Sequence, residues 1–404
     1  MQTDMLNWLD SQQSTMESML HEWCSINTGT ENVEGLNTLR PLIIDAFKAL
    51  NAHIDVLEPA KVEEVTNQGH VRQVPVGHNL RISNIREGKP KVMMIGHMDT
   101  VFDKDHEFQV LTTLDEERLQ GPGVTDMKGG ILVMLHALKA FEQSELANEL
   151  SWEVFLNSDE ETGSRGSMPE IIASAKQSDI GLGYEPCMPH GALAGQRKGS
   201  ANYAVSVKGR AAHAGREFHK GRNAVAALCR FLNMLDDLND VRNTITLNVA
   251  QIQGGGALNV VPPQAVGRFN IRVESLEDQK WFEDYIEQAI NISNQQDGLS
   301  FELFGGFTRP PKIIDEKTKR LCDLVQSCGQ ELGIDITYEP TGGCCDGNNL
   351  VAAGLPTVDT LGVRGANIHS SDEFIWIKSL SERAKLSYLI LRAFAQNPSI
   401  IAKA

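Results

Sequence analysis

His97, Asp126, Glu161, Glu185 and His369 are side chains of the types that hold borderline divalent cations, and Asp99 and Glu160 stand beside two of them. Imidazole and carboxylate donors suit zinc, cobalt or manganese, and a carboxylate shared between two cations keeps both close enough to act on one water. These residues are scattered over most of the chain, so no local segment can assemble them. A sheet must do it, because nearly every one falls where an apolar strand pattern breaks into a turn.

The positioning elements can be read in turn. Residues 91–95 are a short apolar run closed by Gly96, which leaves His97 and Asp99 just past a buried strand. Alternate residues of extended chain share a side, so both can face one pocket, with Asp99 accepting the second ring N–H of His97. Taken alone, the pair reads equally well as a solvated turn. Residues 121–130 are glycine-rich and lead into helical apolar spacing over 131–141, which puts Asp126 in a constrained loop at a helix start. A phosphate loop is the competing reading, and the segment lacks the Gly-Lys-Ser/Thr ending it needs. A strand at 152–156 delivers Glu160 and Glu161. Adjacent acids in isolation read as solvated surface, but here a strand precedes them and a glycine turn follows. Glu185 follows a strand at 180–184, and His369 follows 352–361. A lone loop histidine is more often structural; five donors in equivalent positions shift that balance.

Taken together these segments resemble the co-catalytic zinc hydrolases, which include glutamate carboxypeptidases, aminoacylases, acetylornithine deacetylase, succinyl-diaminopimelate desuccinylase and several di- and aminopeptidases. The carriers are Gly-His-Met-Asp-Thr-Val at 96–101, Gly-Val-Thr-Asp-Met-Lys-Gly-Gly at 123–130, Ser-Asp-Glu-Glu-Thr-Gly-Ser at 158–164, Gly-Tyr-Glu-Pro at 183–186 and His-Ser-Ser-Asp-Glu at 369–373. The resemblance implies an α/β catalytic domain with a mixed central sheet flanked by helices. It implies two Zn2+ ions, with Co2+ or Mn2+ as substitutes: one held by His97 and Glu185, the other by Glu161 and His369, with Asp126 bridging. Glu160 matches the general base, Asp99 the carboxylate behind the histidine. A cis peptide after Asp126 is also implied.

A second block follows a different pattern. Strands at 200–208, 244–253, 264–273 and 299–304, with helices at 223–235 and 279–292, give strand-helix-strand-strand-helix-strand, the split βαβ, ferredoxin-like arrangement. The expected organisation is a catalytic domain of 1–198 and 312–404 with 199–311 inserted as a lid. By resemblance this lid also dimerises, His213 on it polarises the scissile carbonyl, and Asn259 and Arg272 meet the substrate carbonyl and terminal carboxylate. Guanidinium binds carboxylate through two parallel hydrogen bonds, which suits that task. Arg309 resembles a further arginine of the glutamate carboxypeptidase branch and reads equally as a surface hinge residue. Thr341-Gly-Gly-Cys344-Cys345-Asp346 departs from that branch's glycine-rich loop by two cysteines, read here as loop packing rather than extra zinc ligands.

At 404 residues the chain exceeds one ordinary hydrophobic core, so two domains are expected. A formal charge of −16 argues against nucleic acid or an anionic membrane as partner. Seven cysteines form no regular framework, and the first residues lack a basic region followed by an apolar one, which together point to the cytoplasm; an exported form whose signal segment was removed is the alternative. The expected activity is hydrolysis of an amide next to a free carboxylate in a small peptide or N-acyl amino acid, with Glu160 as general base. A carboxypeptidase releasing C-terminal glutamate or a similar amino acid is preferred because of the Asn259, Arg272 and Arg309 spacings and because, within the resemblance, glutamate at the Glu185 position goes with carboxypeptidases and deacylases. The runner-up is an N-acyl-amino-acid deacylase or a dipeptidase. A non-catalytic relative should have lost a ligand or the base, and this chain has kept all six.

Overall fold

A strand that is apolar at every position needs both faces covered, and residues 92–97 and 151–157 are buried throughout. In the computed structural model, which describes residues 2–402, these segments lie in the middle of a six-stranded sheet. Its strands are β1 (His53–Leu57), β2 (Asn79–Asn84), β3 (Lys91–His97), β4 (Ser151–Asn157) and β5 (Ile180–Gly183), completed by the short strand Thr357–Val358. The order is β1-β2-β4-β3-β5 followed by 357–358. β1, β2 and β4 pair antiparallel, whereas β4, β3, β5 and 357–358 run parallel, so the sheet is mixed as expected.

Parallel strands put their C-terminal ends on one edge. Register aligns His97 with Asn157 and Ile95 with Gly183, so the loops after β3, β4 and β5 leave that edge side by side. The helix Lys128–Glu142 is buried on nearly every face, lying among the helices Gln13–Cys24 and Ser379–Gln396 and strand β3. Its first turn approaches the end of β5 so closely that a Cβ on Gly130 would collide with the Tyr184 carbonyl oxygen. Only glycine permits that approach, and it carries Asp126 toward the strand edge.

The chain divides into two compact units, one of residues up to 60, 75–196 and from 312 onward, the other of 61–74 and 197–311. The second contains β6 (Gly199–Lys208), β7 (Ile245–Gly254), β8 (Gln264–Val273) and β9 (Ser300–Arg309), in the order β7-β8-β6-β9 and antiparallel throughout. Helices Ala224–Asp236 and Leu276–Ser293 share its core, where Tyr203 stacks on Phe269 with ring centroids 5.3 Å apart. The ferredoxin-like pattern read from the sequence is thus present. Two boundaries differ for local reasons. The second helix starts at Leu276 because the Ser275 side chain caps it, accepting from Asp278 N. β9 continues to Arg309 through Gly305 and Gly306, residues that disguise a strand. The hairpin of Val62–Val65 and Val71–Val74 also belongs to this unit, with Arg268 donating to the Val65 carbonyl and the Asn67 side chain, each at 2.7 Å. No pattern within 61–74 marks that long-range pairing.

Candidate metal centre

Asp126 offers one carboxylate oxygen to each of two histidines. Oδ1 lies 3.1 Å from His97 Nε2, and Oδ2 lies 3.2 Å from His369 Nε2. Glu185 Oε2 is 3.8 Å from His97 Nε2, and Glu161 Oε2 is 3.3 Å from His369 Nε2. Each imidazole therefore has its own glutamate and half of a shared aspartate. Donors held about 2.0–2.1 Å from a tetrahedral cation stand roughly 3.3 Å from one another; the Asp126 and Glu161 contacts, at 3.1–3.3 Å, match that spacing, and Glu185 stands slightly farther from His97 at 3.8 Å. Ligand atoms of His97, Asp126 and Glu161, and of His97, Glu160 and Glu185, fall within 4.8 Å of each other. Glu161 Oε1 is buried and has no hydrogen-bond partner, a placement that is costly for a carboxylate unless a cation takes the oxygen. The donor set fits a pair of divalent cations.

The electrostatics agree. Burial alone would lower the His97 pKa, yet Glu185, Asp126 and Asp99 hold it well above the ordinary value. The hydrogen bonds to Asp126 and Glu161 raise His369 to about 11. Burial, then the Asp126 charge, raise Glu161 to about 7. Asp126 stays below the usual carboxylate range: burial opposes its charge, but bonds from His369 and His97 outweigh that. A cluster of this kind stabilises positive charge, as protons on imidazole or as divalent cations that must displace those protons.

Asp99 acts differently from the expectation. His97 Nδ1 is 2.9 Å from the Asp99 backbone carbonyl and 3.4 Å from its carboxylate, so the carbonyl is the closer partner. The carboxylate also accepts from Glu160 N and Glu161 N, each at 3.2 Å, and from Thr30 Oγ1 at 2.7 Å. Asp99 thereby orients one histidine and fixes the turn Glu160–Thr162, which closes through left-handed Gly163 and Ser164. The Asp126–Met127 peptide is cis. Three supports escaped the sequence reading. Thr30 carries no local signal. Glu373, in the stretch quoted with His369, is fully buried and accepts from three backbone N–H groups of the Asp126 loop; an acid directly ahead of the apolar strand Phe374–Trp376 was its only trace. Burial, then Asp126, push its carboxyl up to about 8 while those N–H groups pull the other way. Asp346 accepts from Asn157 at 2.7 Å and Ser164 at 2.6 Å, tying the helix Asp346–Ala352 to the chain on either side of Glu160 and Glu161. Cys345 caps that helix through its sulfur, which accepts from Gly347 N at 3.3 Å, and neither candidate ligand group among the described residues includes a cysteine.

In the second unit, His213 sits opposite Val260, with Ala214 N donating to the Asn259 carbonyl at 2.9 Å, so His213 and Asn259 are neighbours. Arg272 on β8 and Arg309 on β9 both stand opposite Ser200 of β6. Arg309 is only 4 % exposed, which removes its reading as a surface hinge residue.

Fold and family together define a class: a hydrolytic enzyme on a metallopeptidase framework, of a kind generally dependent on two metal ions. The chain belongs to peptidase family M20/M25/M40, whose model matches residues 93–393. It is 26% identical over 384 residues to carboxypeptidase G2 of Pseudomonas sp. (strain RS-16), covering 92% of this chain and 87% of that one. It is also 26% identical over 344 residues to succinyl-diaminopimelate desuccinylase of Psychrobacter arcticus, covering 78% and 82%. A tripeptidase from Staphylococcus aureus shares the fold, with a TM-score of 0.71 at 19% identity over 95% of this chain and 99% of that one. Among the described residues no helix is long and apolar enough to cross a membrane.

Proposed function

We propose that this enzyme is a carboxypeptidase that releases C-terminal glutamate or a similar amino acid. In this reading His97 and Glu185 would hold one zinc ion, Glu161 and His369 a second, and Asp126 would serve both. The observation that carries it is the pair of histidines on opposite oxygens of Asp126. Bound zinc, or cobalt or manganese on the same donors, would acidify a water and polarise the substrate carbonyl.

The chain's own groups do the rest. Glu160 takes the proton from the attacking water and returns it to the departing amine. Asp99 keeps Glu160 and Glu161 in one turn. His213 donates to the developing oxyanion and Asn259 to the substrate carbonyl, while Arg272, with Arg309, grips carboxylate through paired N–H groups. Residues 199–311 serve as a lid to the catalytic domain of 1–198 and 312–404, and they join two chains in a homodimer for which β7 is an available sheet edge. Seven cysteines in no regular framework favour a reducing, cytoplasmic setting.

The likeness to carboxypeptidase G2 supports the carboxypeptidase reading, and the two arginines beside Ser200 support a substrate with more than one carboxylate. The desuccinylase relative favours a second reading, deacylation of an N-acyl amino acid. Turnover of folate-like and of α- and γ-glutamyl peptides, against acetyl- and succinyl-amino acids, separates the two; activity confined to the latter replaces the first reading. Glu160→Gln should keep its metal and lose at least about 10²–10⁴-fold in turnover. A metal-loaded Gln variant with wild-type turnover rejects Glu160 as the base.

A further inference from the structure

We propose that Glu373 is a positioning residue of the metal centre, locking the Asp126 loop to the His369 loop so that the shared carboxylate and the second histidine keep a common geometry. The inference rests on the two-cation reading above. Glu373 Oε1 accepts from Thr125 N at 2.9 Å and Asp126 N at 3.0 Å, and Oε2 accepts from Gly123 N at 3.3 Å. Three donors of one loop therefore converge on one buried side chain that lies four residues past His369.

The tie is reinforced around it. Gly121 N donates to the Glu373 carbonyl at 3.2 Å, Thr125 Oγ1 to the Phe374 carbonyl at 2.8 Å, and Glu373 N to the Ser370 carbonyl at 3.1 Å. Both loops need fixing. The segment 121–127 lies outside any helix or strand until Lys128 begins the helix. His369 holds φ of 61°, a left-handed conformation that an L-residue other than glycine adopts only at a cost.

A carboxylate is the one head group here that accepts on both sides. Glutamine turns one acceptor into an NH2 donor facing backbone N–H, leaving a buried loop donor unsatisfied. The cation position built from Glu161, His369 and Asp126 draws two of its three side chains from the tied loops, whereas the one built from His97, Glu185 and Asp126 draws one. Loosening the tie should therefore weaken one ion more than the other.

The test is competitive chelator titration of zinc on the full-length wild type and Glu373→Gln, with thermal melts of both proteins free of metal. Wild type should bind two zinc ions. Glu373→Gln should hold one of them roughly 10–100-fold less tightly, keep the other within a few-fold, melt near wild type without metal, and recover turnover when zinc is added. Two unchanged affinities, or an equal weakening of both ions, overturn the proposal. If Glu373→Gln does not fold, Thr125→Val cuts one strand of the same tie: selective weakening of one ion supports the proposal and unchanged affinities overturn it. A wild type that binds no pair of zinc ions removes the two-cation reading and this inference with it.

Discussion

His369 Nε2 lies 3.2 Å from Asp126 Oδ2 although 243 residues of chain separate them. Neither group could hold that position through its neighbours in sequence. In the proposed centre His369→Ala deletes a ligand to one ion while leaving His97, Glu185 and Asp126 for the other. Atomic absorption should find about one zinc per chain instead of two, and kcat should fall by at least about 100-fold. Two tightly held zinc ions in that variant would remove His369 from the ligand set.

Lys312 Nζ meets Asp359 Oδ2 at 2.9 Å with both side chains essentially inaccessible to water. Lys312→Met removes a cationic partner from a buried carboxylate and should cost about 3–5 kcal/mol in urea unfolding. The double change Lys312→Met with Asp359→Leu should recover most of that loss, since desolvating the pair offsets much of its attraction. A single variant within about 1 kcal/mol of wild type would contradict this account.

His136 lies in the helix Lys128–Glu142, fully buried, with Nδ1 2.9 Å from the Leu132 carbonyl and Nε2 unpartnered. Burial lowers its pKa from 6.5 to about 4. The folded value is below the unfolded one, so the unfolded chain binds more protons between them. The neutral ring's contribution is complete above pH 6.5 and is lost as pH falls toward 4, by up to roughly 3 kcal/mol. His136→Leu should flatten that part of the stability profile and gain on wild type at pH 5. Parallel profiles for the two proteins would show that the ring titrates elsewhere.

Cys345 acts as a helix cap. Cys345→Ser keeps an acceptor and should change stability little, while Cys345→Ala should cost about 1 kcal/mol. The double variant Cys344→Ala with Cys345→Ser should still bind two zinc ions. Loss of one ion would turn these thiols back into ligands.

Strand-then-acid grammar made most of the centre legible without coordinates. Apolar runs that end in Gly-His, Asn-Ser-Asp-Glu-Glu and Gly-Tyr-Glu mark strands whose last residues must turn at a sheet edge, because side-chain alternation and burial are local properties. The βαββαβ pattern of the second unit was readable for the same reason: cores of that kind are built from short-range periodicity. What tertiary structure alone decided is who meets whom. Asp99 turns out to clasp the Glu160 turn more than the His97 ring, Glu373 gathers the Asp126 loop, Thr30 joins them from far upstream, and the hairpin 61–74 leaves its sequence neighbours for Arg268. Those partners are set by register and loop closure between distant segments. A hydrogen bond across a hundred residues leaves no periodicity in the chain that makes it.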